Sequence, residues 1–349
     1  MHNGIALLLL FGSLSVAAQT LPDTLTRFAF GSCNDQRHAQ PLWKPIMEAQ
    51  PELFVWGGDA IYADWEQTFD FKASYEKQKA QTDYKEMTSK IPVIGTWDDH
   101  DYGGDNAGGN FALKKESQKQ FLDFLDEPQN SPRRVREGVY HSYNFGADNQ
   151  QLKLVMLDNR YFKNLDPKAN MLGEVQWAWL EEELKNSEAS LHFIMGGLSI
   201  LSPLIPYTEE WGEHGIELNR LTGLLRKYKT KGVVFLTGDK HFSSIFRARG
   251  HLEFMSSGMT HIAARKTWWY LGGKYETSFF GLSFGQVDIA WEGSTPIITL
   301  TIKNRLNRDV HSRKFKWVDV DWAEQKPFVP GMIIDDGAEA VAESDDEHH

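Results

Sequence analysis

At 349 residues, 41% hydrophobic and 13% aromatic, the chain can bury a large core, which excludes an intrinsically disordered polymer. Its formal net charge of −11 falls to about −4 once a tail carrying Asp335, Asp336, Glu339, Glu343, Asp345, Asp346 and Glu347 is set aside, and neither a nucleic-acid footprint nor a polybasic membrane patch is evident. The single cysteine, Cys33, excludes an internal disulfide.

Residues 1–18 read as a secretory signal peptide. An apolar core over residues 5–11, too short to span a bilayer, leads into the small residues Ser15, Val16, Ala17 and Ala18. The start carries His2 but no Lys or Arg, which departs from the usual pattern. No later run is apolar enough to cross a membrane, so the expectation is a periplasmic or secreted protein without a transmembrane anchor after cleavage. Residues 331–349 read as an acidic disordered tail, leaving residues 19–330 as one folded domain.

In chain order, a strand is predicted over residues 28–30, a polar loop over 34–40, a helix over 42–49 and a second strand over 53–56. The polar segment 69–89, with Tyr75 and Tyr84 among Lys and Glu, predicts an amphipathic surface helix. The apolar run 91–96 leads into Trp97-Asp98-Asp99-His100-Asp101, and behind it lies Gly103-Gly104-Asp105-Asn106-Ala107-Gly108-Gly109. That loop lacks the Gly-Lys-Ser/Thr ending of a P-loop, so a nucleotide cradle is not expected. A helix over 115–125 follows.

Strands over 139–145 and 152–157 form a pair, the second ending in Asp158-Asn159-Arg160. Trp177, Leu180 and Leu184 recur at helical spacing over 174–185, and a buried strand over 191–195 ends in Gly196-Gly197. Residues 201–215 read as a loop that walls or covers a site, before a helix over 218–228 and a strand over 233–237. Further on come residues 253–260, the aromatic Trp268-Trp269-Tyr270, and period-two strands over 286–291 and 296–302. Strands alternate with helices early and cluster as hairpins late, which predicts an α/β fold with a layered sheet core.

Four apolar runs end in groups able to ligate a metal. They are Gly31-Ser32-Cys33-Asn34, Gly58-Asp59-Ala60-Ile61-Tyr62, Trp97-Asp98-Asp99-His100-Asp101 and Gly238-Asp239-Lys240-His241. A buried carboxylate is costly unless paired or metal-bound, and Asp59, Asp98, Asp99, Asp101 and Asp239 all stand at the ends of such runs. Ligands of open α/β sheets bind outside the carboxyl ends of the strands, so these four ends are expected to share one site. Cys33 reads either as a ligand there or as a buried structural thiol.

The ordered set resembles the alkaline phosphatase D (PhoD-like) family of binuclear metallophosphatases over most of residues 28–260. Supporting stretches are Leu157-Asp158-Asn159-Arg160-Tyr161, residues 176–180 and Ser256-Ser257-Gly258-Met259-Thr260. The resemblance implies a four-layer metallophosphatase fold, two packed β-sheets flanked by helices, with two metals at the strand ends. It implies that Asp59 bridges both metals, that Cys33, Tyr62 and His241 hold Fe³⁺, and that Asp99 and Asp239 hold Ca²⁺, with Mg²⁺ or Mn²⁺ as alternatives for the second ion. It also implies that His100 contacts phosphate or assists the leaving group, the alternative being that His100 orients another ligand. Asn34 and Arg160 are candidates for holding phosphate oxygens, Arg160 because a guanidinium matches phosphate geometry; the alternative for Arg160 is a salt bridge to Asp158 or another carboxylate.

The residue chemistry agrees with this division, since thiolate, tyrosinate and imidazole suit a transition metal and carboxylates suit a hard cation. Gly196-Gly197-Leu198-Ser199 offers no histidine where many related phosphatases carry one, which moves the second ion further toward oxygen ligands. Lys240, unusual within that motif, is read as facing solvent. The expected function is hydrolysis of small-molecule phosphomonoesters by a monomer, with a metal-activated hydroxide attacking in line. The alternatives are a phosphodiesterase of phospholipase D type and a non-catalytic envelope binding protein on the same scaffold.

Overall fold

A computed structural model describes residues 20–65, 69–166, 169–201, 208–248, 251–263 and 277–317. The expected signal peptide, the acidic tail, Trp268-Trp269-Tyr270 and part of the 201–215 loop lie outside the described residues. The early strands are β1 (Arg27–Gly31), β2 (Leu53–Gly57), β3 (Val93–Thr96), β4 (His141–Phe145), β5 (Leu152–Met156), β6 (Leu191–Met195) and β7 (Val233–Thr237). They are followed by β8 (Ser243–Ala248), β9 (His251–Ser256), β10 (Ser283–Glu292), β11 (Thr295–Asn304) and β12 (Asp309–Lys316). The helices are α1 (Trp43–Glu48), α2 (Phe71–Lys79), α3 (Thr82–Thr88), the single turn α4 (Asp99–Tyr102), α5 (Lys114–Phe124), α6 (Gly173–Lys185) and α7 (Gly215–Lys227).

The strands form two six-stranded mixed sheets, ordered β12-β11-β10-β1-β2-β3 and β4-β5-β6-β7-β9-β8. The short apolar strands β2, β3, β5, β6 and β7 are buried on both faces, and the period of two divides them between two cores. Phe28, Phe30, Leu53 and Val55 meet Leu154, Met156, Phe193 and Met195 between the sheets. Phe28 there packs edge-on against Phe193 at 5.1 Å, and Phe30 against Phe254 at 4.9 Å. The alternate residues Ala29, Phe54 and Trp56 face outward onto α1, α2, α3 and α5, and Val155, Ile194 and Phe235 face α6 and α7. The result is the four-layer α/β arrangement expected from the resemblance.

β1, β2 and β3 run parallel, as do β5, β6, β7 and β9. Parallel strands put their carboxyl ends on one edge, so the loops that carry the polar motifs gather there.

The segment 69–89 is two helices, α2 and α3, and not one. In a continuous helix, nine residues at 100° each would put Tyr75 and Tyr84 on opposite faces. Gln81 instead adopts an extended backbone between them, and both tyrosines reach the same core, Tyr75 stacking on Phe124 at 4.6 Å and Tyr84 at 6.0 Å. The edge strands β8 and β12 escaped the sequence analysis because both carry little apolar signal: β12 is largely exposed, and β8 opens on two buried serines, leaving Ile245 and Phe246 as its only large apolar residues.

β6 also carries a group that sets acid stability. His192 is 1% exposed; its Nδ1 donates to Lys231 O at 2.6 Å and its Nε2 lies 2.8 Å from Ser187 Oγ. Burial, opposed by the Lys231 bond, pushes the imidazole down to about 4. The unfolded chain then binds the proton first, so this contribution is complete above pH ~6.5 and is lost as pH falls toward 4, by ~3 kcal/mol at most. The acid limb of a chemical-denaturation stability profile should flatten in His192→Gln; an identical limb in the two proteins would assign it to other groups.

Candidate metal centre

The strand ends deliver their side chains through unusual backbone. Cys33 (φ 59°), Asp59 (φ 49°), Asp239 (φ 70°) and His241 (φ 60°) all occupy the left-handed region. Such conformations cost ~1 kcal/mol or more in non-glycine residues and persist where surrounding structure over-determines them. Here they turn the chain sharply at the ends of β1, β2 and β7.

One group of donors surrounds Asp59 Oδ2. The Cys33 thiol donates to it at 3.4 Å and the Tyr62 hydroxyl at 3.3 Å. The Tyr62 oxygen also lies 3.3 Å from His241 Nε2 and 2.9 Å from His261 Nε2, and the two imidazoles are 3.2 Å apart. A second group lies on the other side of the same carboxylate. Ligand atoms of Asp59, Asp99 and His100 fall within 4.8 Å of one another, as do those of Asp98, Asp99 and Asp239. Asp59 Oδ1 faces this side, accepting from the His100 N–H at 3.4 Å. Asp59 therefore presents one oxygen to each group.

α4 explains how four consecutive polar residues serve different ends. At 100° per residue they fan outward. Asp98 caps the turn and Asp99 faces the site, whereas Asp101 accepts from the Asp98 N–H at 2.6 Å and from the Ala60 N–H at 3.1 Å, tying the β2 loop to α4. His100 turns to Asp64, with Nδ1 2.8 Å from Oδ1, and packs against the Tyr62 ring at 4.2 Å. Gly197, after β6, makes room for Asp98, since a Cβ there would lie 2.2 Å from its Cγ.

The electrostatics favour a bound cation. Burial pushes the Cys33 thiol up to about 12. Burial, then the neighbouring Cys33 and Asp99, pushes Asp59 well above the carboxylate range, and burial with Cys33 and Asp59 raises Tyr62. Burial pushes His241 down, and burial reinforced by His241 brings His261 to about 3, so both imidazoles are neutral and able to ligate. Asp99 is the exception: burial acts upward on it, but Arg160 and His100 outweigh burial and hold it low. A cation placed among these groups replaces protons that burial otherwise retains. Asp98 Oδ2, buried and without a hydrogen-bond partner among the described residues, also fits one.

Residues 28–264 match the sequence profile of the PhoD-like phosphatases. The chain belongs to this family. It is accordingly a hydrolase of phosphoric esters. Among solved structures it resembles that of PhoD, with a TM-score of 0.68 and 16% identity over 90% of this chain and 74% of the other. It is also similar to GAP50, the anchor in the inner membrane complex of Plasmodium, with a TM-score of 0.55 and 12% identity over 86% of this chain and 91% of the other. No curated protein sequence is significantly similar to it.

Within this PhoD-like centre the structure brings together Cys33, Asp59, Tyr62, Asp99, His100, Asp239 and His241, the residues singled out from the strand ends. Asn34 is placed differently from a phosphate-holding amide. Its Nδ2 donates to Gln78 Oε1 at 2.8 Å and Ala60 O at 3.2 Å, and what remains is Oδ1, an acceptor that cannot hold a phosphate oxygen. Arg160 is fully buried, with Nε 2.5 Å from Asp98 Oδ1 and Nη1 2.5 Å from Glu209 Oε2, while Asp158 Oδ1 accepts from its backbone N–H instead. Its Nη2, 3.8 Å from Asp99 Oδ1, has no hydrogen-bond partner among the described residues. Lys240 does not face solvent. It is buried, donating to Thr208 Oγ1 at 2.7 Å and lying 3.2 Å from Asp239 Oδ2.

The sequence analysis missed His261, Asp64 and Ser257 as parts of the centre. Ser257 Oγ sits 3.1 Å from Cys33 Sγ and accepts from the His241 N–H at 2.7 Å. The signals were available, because Asp64 closes the Asp59 stretch and His261 immediately follows Ser256-Ser257-Gly258-Met259-Thr260.

Proposed function

We propose that the chain is an exported metal-dependent phosphatase of the alkaline phosphatase D type, acting on phosphomonoesters. The observation that carries this reading is the division of the Asp59 carboxylate, Oδ2 toward the thiol and phenol and Oδ1 toward the start of α4, where it accepts from the His100 N–H beside Asp99. Cys33, Tyr62 and His241 would hold Fe³⁺, with His261 beside them. Asp99 and Asp239 would hold Ca²⁺, with Mg²⁺ or Mn²⁺ as alternatives, and Asp59 would touch both ions. When bound, two such cations supply Lewis acidity that makes hydroxide available near neutral pH and offsets phosphoryl charge.

The protein's own groups do the rest. In the metal-free protein Asp64, Asp59 and Asp99 overcome the burial of His100 and raise it to about 10; with the cations bound, Asp64, which is not among the proposed ligands, would still hold Nδ1 at 2.8 Å and orient the imidazole as a proton donor to the leaving oxygen. Arg160 orients its unpartnered Nη2 toward Asp99, where it can meet a phosphoryl oxygen. Residues 1–18 support export.

The similarity to GAP50, described as an anchor, goes with the alternative of an envelope binding protein on this fold. The full donor set supports catalysis instead, because a binding scaffold has no need of a buried thiol, phenol and imidazole around one carboxylate.

The test is metal removal. Purified protein should hydrolyse p-nitrophenyl phosphate, lose that activity with EGTA, and regain it with Ca²⁺ more readily than with Zn²⁺. Full recovery on Zn²⁺ alone would overturn the hard-cation assignment, and no hydrolysis by metal-replete protein would overturn the phosphatase reading.

A further inference from the structure

Beyond the metal ligands, the mouth of the centre has a composition that its chemistry does not require. Among the described residues, the exposed large apolar side chains include only two aromatic rings, Trp65 and Phe69, each 45% exposed. Single exposed apolar residues are ordinary, but these two lie four positions apart and bracket the Asp64–His100 pair. The Trp65 ring centroid is 5.3 Å from that of His100 and 4.4 Å from that of Tyr62. On the other side, a Cβ on Gly104 would lie 3.4 Å from Asp64 Cβ and 3.6 Å from the Phe69 ring. The charges beside the indole are paired: Asp35 accepts from Arg37 Nη2 at 2.7 Å and Nε at 2.9 Å, while Arg37 Nη1 donates to Trp65 O and its guanidinium lies 5.1 Å from the indole centroid, a cation–π contact that leaves the ring partly covered.

From these positions we propose that Trp65, with Phe69, forms a leaving-group subsite that takes a planar aromatic ring; this inference rests on the phosphatase reading and on His100 facing the leaving oxygen. A group leaving beside His100 passes the indole, and a ring there covers the part of its apolar surface that Tyr62 and Arg37 leave exposed. Stacking of this kind is sequence-tolerant and geometrically permissive, so it selects a ring and not a particular substituent. The substrate class is a phosphomonoester whose alcohol carries an aromatic ring, either close to the ester oxygen or as a nucleobase.

The test compares benzyl phosphate with ethyl phosphate, whose ester oxygens are of similar reactivity, and adds AMP as the nucleobase arm. Trp65→Ala should lower the benzyl-to-ethyl ratio of kcat/KM by ~10-fold, mainly through KM for the benzyl ester, and Trp65→Phe should recover most of it. The same ratio should appear, without turnover, in the dissociation constants of benzylphosphonate and ethylphosphonate. A parallel loss for AMP identifies a nucleobase-accepting subsite, and a loss confined to benzyl phosphate identifies one for rings near the ester. Hydrolysis with an unchanged ratio in both measurements overturns the subsite and leaves the phosphatase reading standing. Selective benzylphosphonate binding by a protein that hydrolyses none of the esters overturns the phosphatase reading and leaves an aromatic binding site.

Discussion

Asp59→Asn should abolish activity and both metals together, while the metal-free protein becomes more stable. The first outcome follows from geometry: Oδ1 and Oδ2 each face a separate donor group, and a neutral amide offers one weak oxygen where the carboxylate offers two charged ones. Changing a residue that merely supports a ligand costs 10–100-fold in affinity or activity, so losing a shared ligand should exceed about a hundredfold. The second outcome follows from burial. Asp59 is held well above its ordinary range by burial and by Cys33 and Asp99, so a neutral side chain there removes an electrostatic cost that the metal-free protein bears. Thermal melts with and without added metal separate these effects: the variant should melt higher without metal and gain little from it. A variant with wild-type turnover and full metal content would remove Asp59 from the bridging position.

Cys33→Ala and Tyr62→Phe should each weaken or shift a visible absorption band in iron-loaded protein, and each should cut activity. Thiolate and phenolate bound to Fe³⁺ give charge-transfer absorption that d¹⁰ Zn²⁺ does not. Burial raises the Cys33 thiol to about 12 and raises Tyr62 as well, so neither ionises at neutral pH without a cation. Iron binding should therefore release protons and tighten with rising pH, which calorimetry in buffers of different ionisation enthalpy would measure. A colourless, iron-free, fully active protein would remove the case for iron. If Cys33→Ala leaves both band and rate unchanged, the thiol is structural.

Much of the centre was legible because its signals are local. An apolar run that ends in Gly-Asp, or in Gly-Ser-Cys-Asn, marks a buried strand delivering a polar group, and the parallel order of such runs places them on one edge. Lys240 shows where this reasoning stops. Its exposure depends on Thr208 and Glu209, some thirty residues away in sequence, and nothing near Lys240 reports their approach. Arg160 is similar: the pairing to Asp98 spans 62 residues, from the end of β5 to the end of β3. The split of Asp98, Asp99, His100 and Asp101 into separate duties depends on α4, one turn of helix that replaces a period of two by a fan of 100° steps.

The sequence by itself determined the chemistry of the donors, the layered α/β class and the strand ends that carry the site, because residue type, apolar periodicity and turn residues are properties of neighbours along the chain. Only the tertiary structure decided that Asp59 faces two groups, that His261 stands beside His241, that Gly197 leaves room for Asp98, and that Trp65 packs beside His100. These relations join separate strands and both sheets, and they are set by how the sheets pack against each other across the core of Phe28, Phe30, Phe193 and Phe254.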